Sequence, residues 1–141
     1  MPLHSLVYVS IESRPMTVDD IRNILDKARA FNTSQDITGM LLYRGGYFIQ
    51  ALEGEKERVQ ALFDKIARDD RHQNVLKVYN AAINERAFGS WSMGFKDLDG
   101  IDPAGLEGYT DFLMQPITPQ MIGDGSRAKA FLELFKEEST Y

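Results

Sequence analysis

The spacing of apolar residues changes repeatedly along the first hundred positions. Residues 3–10 alternate in part and are rich in β-branched side chains, which predicts a first strand. From Thr17 the apolar residues return every three or four positions, which predicts a helix over 17–31 with Thr17 as its N-cap. Strand-like stretches at 37–43 and 47–52, separated by two glycines, predict a β-hairpin.

A second helix and two further strands complete the pattern. Helical spacing over 55–68 is followed by strand-like composition at 75–83 and at 88–98. The order strand, helix, strand, strand, helix, strand is typical of an α+β, ferredoxin-like β-α-β-β-α-β core, here with an added fifth strand. In that fold the first strand lies beside the third.

Glycine and proline become frequent after residue 98, and regular structure is next expected in a short amphipathic helix near 126–138. We therefore expect one domain, 1–98, with a C-terminal extension, 99–141, that is too short for a core of its own. The helix and the stretch 109–114 have apolar faces that suit packing on the sheet or an interaction with another protein.

Composition argues against several classes of function. Sixteen basic and 21 acidic residues give a net charge of -5, so we expect no nucleic-acid partner. Without cysteine and with only two histidines, the chain lacks the usual ligands of a transition-metal site, and we predict no metal. It shows neither a secretory signal nor a run of about 18 apolar residues, so we expect a soluble, cytoplasmic protein with no membrane partner.

An amide and a phenol are predicted to face each other inside the core. Alternation places Gln50 on the same strand face as Phe48 and Leu52. Burying an amide costs about 1–3 kcal/mol unless its hydrogen bonds are matched, and Tyr8 on the neighbouring first strand is the natural partner. Such a pair also occurs in ordinary protein cores, so it does not by itself decide the function.

Two other places each admit two interpretations, and a third has the pattern of core packing. Asn32, directly after the first predicted helix, suits a C-terminal cap or an amide aimed at a ligand. Arg71 and His72 end the second helical region, where basic groups suit the negative helix end or an anionic ligand. Trp91 and Met93 share one face of the predicted fifth strand, which is the pattern of core packing.

Several separated motifs nevertheless occur together, in order and in register with these elements. They are Tyr8, Asn32, Ile37-Thr38-Gly39-Met40-Leu41-Leu42-Tyr43, Phe48-Ile49-Gln50-Ala51-Leu52-Glu53-Gly54, Asp70-Arg71-His72 and Trp91-Ser92-Met93. Over residues 3–98 the chain resembles the BLUF family of flavin photoreceptors. The resemblance implies a blue-light sensor that is not an enzyme and holds a flavin between its two helices. Family precedent favours FAD, with FMN or riboflavin as alternatives.

The resemblance also implies roles for individual residues. Tyr8 would donate an electron and a proton, the Gln50 amide would rotate or tautomerise, and Trp91, Ser92 and Met93 would relay the signal. Asn32 would bond the pyrimidine edge of the flavin, while Arg71 and His72 would lie toward its ribityl phosphate. The implied flavin site comprises Tyr8, Ile24, Asn32, Ile37, Phe48, Gln50, Leu52, Lys65, Ile66, Arg71 and His72.

Two residues of this region depart from the family pattern. Phe31 stands where relatives often have a polar residue, and Lys65 stands where some have arginine.

The extension resembles no cyclase, phosphodiesterase or DNA-binding domain, so output is expected through a separate effector protein or through a homo-oligomer. Two other functions stay open. Arg14 before Pro15 faintly resembles the phosphate loop of ferredoxin-like acyl-phosphate hydrolases, although the glycine-rich cradle is missing. The other is a protein-interaction domain without a ligand, in which Tyr8 and Gln50 merely satisfy each other.

Overall fold

The computed structural model describes residues 2–99, 125–137 and 139–140. Five strands and three helices lie in these ranges. In chain order they are β1 (Leu3–Glu12), α1 (Val18–Ser34), β2 (Thr38–Arg44), β3 (Tyr47–Gly54), α2 (Lys56–Ala67), β4 (His72–Ile83), β5 (Gly94–Asp97) and α3 (Ser126–Glu133).

The five strands form one mixed sheet in the order β4-β1-β3-β2-β5. All neighbours are antiparallel except β2 and β5, which are parallel. The predicted ferredoxin-like core with an added strand is confirmed. Its central pair, β1 and β3, places Tyr8 directly opposite Gln50.

Helix α1 begins as predicted and ends later than predicted. The Thr17 hydroxyl accepts the Asp20 amide at 3.1 Å, and the Asp20 carboxylate accepts the Thr17 amide at 3.0 Å, which forms a capping box. Asn32 lies inside the helix and Gln35 is its C-cap, so the interpretation of Asn32 as a cap is wrong. The left-handed conformation expected at the helix end is taken by Asp36, with a φ of 54°.

The predicted strand 88–98 is wrong in its first half, because β5 begins only at Gly94. The Trp91 amide donates to the Phe88 carbonyl at 3.0 Å, and a buried carboxylate on β3 accepts the Phe88 amide at 3.0 Å. Since the amides of Phe88 and Trp91 already donate to these acceptors, they are not available for strand pairing, and the segment does not form a strand. Consequently Met93 lies in the core on the side of α1 and α2, whereas Trp91 packs against the core on the opposite face.

The two faces of the sheet carry separate cores. Helices α1 and α2 cover one face, and α3 packs on the other through the fully buried Phe131 and Leu132. Helix α3 starts where the sequence predicted and stops at Glu133, earlier than residue 138. The stretch 109–114 lies outside the described residues.

Candidate functional site

A cleft opens between α1 and α2, above the face of the sheet that these helices cover. Its volume is about 270 Å³, close to the lower end of the ~300–1,000 Å³ typical of small-molecule sites. Most residues predicted to hold a flavin line this cleft. They are Tyr8, Ile24, Asn32, Phe48, Gln50, Leu52, Lys65, Ile66, Arg71 and His72, with Met93 of the predicted relay beside them.

Tyr8, Gln50 and Met93 form a continuous polar chain at the floor of the cleft. The Tyr8 hydroxyl donates to Gln50 Oε1, and Gln50 Nε2 donates to Met93 Sδ at 3.2 Å. All three side chains are at most 6% exposed. Gly39 leaves room for the Met93 methyl group, because a β carbon there would lie 3.1 Å from it. The Gln50 amide is therefore held with its acceptor toward the phenol and its donor toward the thioether.

The Tyr8 phenol is held in its protonated form. Burial raises the pKa of Tyr8 far above its ordinary value, and the negative charge of Asp69 raises it further. At physiological pH the proton therefore remains on the Tyr8 oxygen, in the hydrogen bond to Gln50. An oxidant that removes an electron from this ring also makes that proton strongly acidic, and Gln50 Oε1 is its nearest acceptor.

Asn32 offers an unpaired acceptor at the cleft. Its side chain is 1% exposed, and its Nδ2 donates to the Ser92 carbonyl at 2.8 Å. Its Oδ1 is buried without a hydrogen-bond partner among the described residues. Buried polar atoms are nearly always paired, so this atom fits a ligand that brings an N–H or O–H donor.

Arg71 and His72 are both held by protein groups at the end of the cleft near β4. The Asp69 carboxylate accepts Arg71 Nε at 2.9 Å, and this hydrogen bond lowers the pKa of Asp69 to about 2. His72 Nε2 donates to the Ile66 carbonyl at 2.6 Å, and its Nδ1 lies 2.9 Å from the Ser10 hydroxyl. Arg71 thus presents a neutralised ion pair to the cleft, and both ring nitrogens of His72 are already bonded.

The walls and the rim of the cleft differ in character. Ile24 and Ile66 supply apolar surface from the two helices. At the rim the Lys65 ammonium lies 4.5 Å from the centre of the Phe31 ring, so that α1 and α2 touch across the cleft. Lys27 adds a second ammonium group to the lining. A planar apolar molecule with a polar edge and an anionic tail fits this arrangement.

Three residues with predicted roles do not line the cleft. Ile37 is 1% exposed and packs beside Gly54 and Val59, and its predicted place next to the flavin ring stays a prediction. The Ser92 backbone carbonyl accepts Asn32 Nδ2, and Ser92 is not among the described residues that line the cleft. Trp91 lies on the other face of the sheet, where its Nε1 donates to the Lys136 carbonyl at 2.7 Å.

No helix among the residues that the structure describes is both long enough and apolar enough to span a membrane. Within the same residues, no group of three or more histidine, cysteine, aspartate or glutamate side chains is placed to hold a metal ion.

Comparison with known proteins identifies the family. A protein-family model described as BLUF, sensors of blue-light using FAD, matches residues 3–94. The chain belongs to the BLUF family. The predicted class of function, a blue-light sensor that binds a flavin, is thereby confirmed.

Individual BLUF relatives are similar over most of this chain. It is 36% identical over 132 residues to the photoactivated adenylate cyclase subunit alpha of Euglena gracilis, which covers 94% of this chain and 12% of that protein. It matches the photo-activated state of BlsA with a TM-score of 0.83 and 30% identity over 99% of both chains. It matches the dark state of BlrB, a BLUF protein, with a TM-score of 0.73 and 31% identity over 92% of this chain and 96% of that one. The chain thus spans only a small part of the curated cyclase.

Sequence reasoning missed part of the lining of this BLUF cleft. The additional residues are Met16, Lys27, Ala28, Leu41, Leu62 and Asp69. Leu41 pairs in register with Gln50, so the alternation of β2 contained a usable signal for it. Asp69 stands two positions before Arg71, and no local sequence pattern predicts that its carboxylate accepts hydrogen bonds from the Arg71 guanidinium.

Proposed function

We propose that this chain is a blue-light photoreceptor in which Tyr8 and Gln50 exchange hydrogen bonds with a flavin bound non-covalently between α1 and α2. The observation that carries the proposal is the buried Tyr8–Gln50 hydrogen bond at the floor of the cleft. It places a redox-active phenol and a reorientable amide next to the space that a flavin would fill.

The residues of the cleft suit the parts of a flavin. Asn32 Oδ1, which has no partner within residues 2–99, 125–137 and 139–140, can accept the N–H of the pyrimidine edge. Ile24 and Ile66 can flank the faces of the ring, and Lys27 and Lys65 at the rim suit a phosphate. We propose FAD as the natural ligand, with FMN or riboflavin able to occupy the same ring site, because the cleft contacts the part that they share.

The bound flavin supplies absorption of blue light and an excited state that is a strong oxidant. Tyr8 would give up an electron to that oxidant, and its phenolic proton would pass toward Gln50 Oε1, which already accepts that hydrogen bond. Rotation or tautomerisation of the amide reverses which end of Gln50 donates. A new donor toward the flavin C4 carbonyl would lower the excitation energy and produce a red shift.

The signal would leave the site through Met93, because the donor end of Gln50 is bonded to its sulfur. Two residues earlier, Trp91 packs on the opposite face and donates to the Lys136 carbonyl beyond α3. The segment 91–93 therefore joins the cleft to the C-terminal extension, 99–141. We propose that the sensor domain is 1–98, and that output passes from the extension to a separate effector protein or through a homo-oligomer, without an enzymatic activity of its own. The predicted cytoplasmic location stays a prediction.

The acyl-phosphate hydrolase is less favoured, because Arg14 is exposed and does not line the cleft. A ligand-free interaction domain would have no use for an Asn32 acceptor that none of the described residues pairs.

The proposal is tested by purifying the protein in the dark and recording its absorption spectrum before and after blue light. We expect a flavin spectrum with a red shift that reverses in the dark. A protein that stays colourless even after incubation with FAD, FMN and riboflavin, or a bound flavin without any shift, contradicts the proposal. Hydrolysis of an acyl phosphate by a colourless protein would favour the enzyme instead.

A further inference from the structure

A buried carboxylate lies on the opposite face of the sheet from the cleft. Glu53, near the end of β3, is 0% exposed and stands three residues after Gln50, so alternation turns it to the other side. A buried carboxylate is strongly unfavourable unless hydrogen bonds match its oxygens. The hydrogen-bond donors to the Glu53 carboxylate therefore indicate which part of the chain it holds in place.

Among the described residues three groups donate to this carboxylate, and two of them are consecutive backbone amides. The Glu53 carboxylate accepts the Ala87 amide at 2.7 Å, the Phe88 amide at 3.0 Å and the Thr38 hydroxyl at 2.9 Å. Hydrogen bonds to an ionised acceptor are roughly twice as strong as neutral ones. Glu53 thus fixes the start of the segment that joins β4 to β5.

Arg86 closes the same cluster from the outside. Its Nη1 donates to the Thr38 hydroxyl at 2.9 Å and to the Glu53 carbonyl at 3.2 Å, while its Nη2 donates to the Asp36 carbonyl at 2.9 Å. The side chain of Arg86 is only 18% exposed. The backbone around residues 86–88 is therefore tied to both β2 and β3.

The other end of the segment is tied to the flavin side of the molecule. Three successive carbonyls, those of residues 91–93, each accept a hydrogen bond from another element. The donors are, in order, the Gly39 amide at 3.1 Å, Asn32 Nδ2 at 2.8 Å and Arg29 Nε at 2.9 Å. Between the two tied ends lie only Gly89 and Ser90, which are exposed.

We infer that Glu53 is a positioning residue of the light response, because it anchors the segment 87–93 and so sets where Met93 lies against Gln50. This segment is a short arm held at both ends, at Glu53 and at the hydrogen-bonded carbonyls of residues 91–93, and its second end carries Met93 and Trp91. Weakening the Glu53 end leaves the arm held by the hydrogen bonds of residues 91–93, so Met93 is positioned less firmly and restrains the Gln50 amide less. This inference deepens the proposed function, and its tests in the dark do not depend on a photocycle.

The first test replaces Glu53 with Gln and measures the mobility of the arm in the dark. The variant keeps one acceptor oxygen and turns an NH2 group toward donors that need acceptors. We expect deuterium exchange at the Ala87 and Phe88 amides to accelerate by about tenfold or more. Trp91 is the only tryptophan of the chain, and acrylamide should quench its fluorescence more strongly. The matched control is Glu85→Gln, the same chemical change at an exposed position of the same connection.

The second test follows dark recovery after blue light in the same variants. We expect Glu53→Gln to keep bound flavin and a red shift, and to recover about threefold faster or more than the wild type and Glu85→Gln. Unchanged recovery and unchanged Trp91 quenching, with only a lower unfolding midpoint, would overturn the inference and leave Glu53 a structural residue.

A third variant covers the case in which Glu53→Gln does not fold. Thr38→Val removes one donor to the carboxylate and leaves the charge in place, so it should shift Trp91 quenching and recovery in the same direction by a smaller factor. Wild-type behaviour of folded Thr38→Val in both measurements would then overturn the inference. A wild-type protein that binds no flavin refutes the proposed function, whereas amide exchange and Trp91 quenching still decide whether Glu53 anchors the arm.

Discussion

Asn32 is an informative position for substitution because its two amide atoms are used differently. Nδ2 donates to the Ser92 carbonyl at 2.8 Å, whereas Oδ1 is buried without a partner in the described part of the chain. Asn32→Leu keeps a side chain of similar volume and removes both polar atoms. The variant therefore separates what Asn32 does for folding from what it does for the flavin.

Two effects nearly cancel in the flavin-free protein. Losing the hydrogen bond to Ser92 leaves its carbonyl unpaired, which lowers the free energy of unfolding by about 1–3 kcal/mol. Removing the unpaired buried acceptor of Asn32 raises the free energy of unfolding by about 1–3 kcal/mol. We expect the free energy of unfolding to change by less than about 1 kcal/mol. With flavin bound, Asn32→Leu leaves a ring N–H without an acceptor, which should weaken binding by about 1.4–3 kcal/mol, or roughly 10–100-fold.

The assay combines urea unfolding of the flavin-free proteins with a fluorescence titration of flavin. Asn23→Leu is the matched control, since Asn23 is exposed on the same helix. A flavin affinity of Asn32→Leu within about twofold of the wild type would refute the reasoning that Oδ1 meets the ring. Loss of more than about 3 kcal/mol of stability in the flavin-free variant would refute the cancellation.

Four further outcomes follow from the site. Tyr8→Phe should bind flavin and lose the red shift, because the donor is gone while the packing stays; a normal shift in the absorption spectrum would refute the donor role. Gln50→Leu should likewise lose the shift, and if the shift persists, the switching group lies elsewhere. Trp91→Phe and Met93→Leu should keep the shift and change its lifetime, so unchanged recovery kinetics in both would count against the relay. The pKa of Asp69 is lowered to about 2 by its hydrogen bond with Arg71, so the ion pair stabilises the fold above the ordinary pKa of 3.8 and is lost as pH falls through about 2. The difference in unfolding free energy between wild type and Asp69→Asn should thus be constant above about pH 4.5 and shrink steadily as pH falls toward about 2, and a difference that stays constant over that range would contradict the assignment.

The core of the site was predictable because it depends on local pattern and topology alone. Alternation turned Tyr8 and Gln50 to one face, and the ferredoxin-like order put their strands side by side, as the register of β1 and β3 shows. The N-terminus of α1 followed from Thr17 as its N-cap, and the structure adds the reciprocal bond from Asp20, three residues later. Each of these features is encoded within a short window or by a general rule of connection.

The parts that sequence reasoning missed depend on contacts between distant residues. β5 starts late because the Glu53 carboxylate takes the amides of Ala87 and Phe88, and that choice overrides the strand-like composition around them. For the same reason Trp91 and Met93 lie on opposite faces of the sheet. Where β5 starts and which face each side chain takes depend on which buried donors need an acceptor. Those donors and acceptors come from distant parts of the chain and meet only in the folded structure.

The central claim is that light changes the hydrogen bonds of the Gln50 amide. A light-minus-dark infrared difference spectrum of flavin-loaded protein, carrying ¹³C in its glutamine side-chain carbonyls, tests it most directly. The chain has other glutamines, so the same spectrum is recorded for Gln50→Leu. We predict a carbonyl band that shifts with the label and is absent from Gln50→Leu. A red-shifted wild-type state without any label-sensitive band would contradict the account.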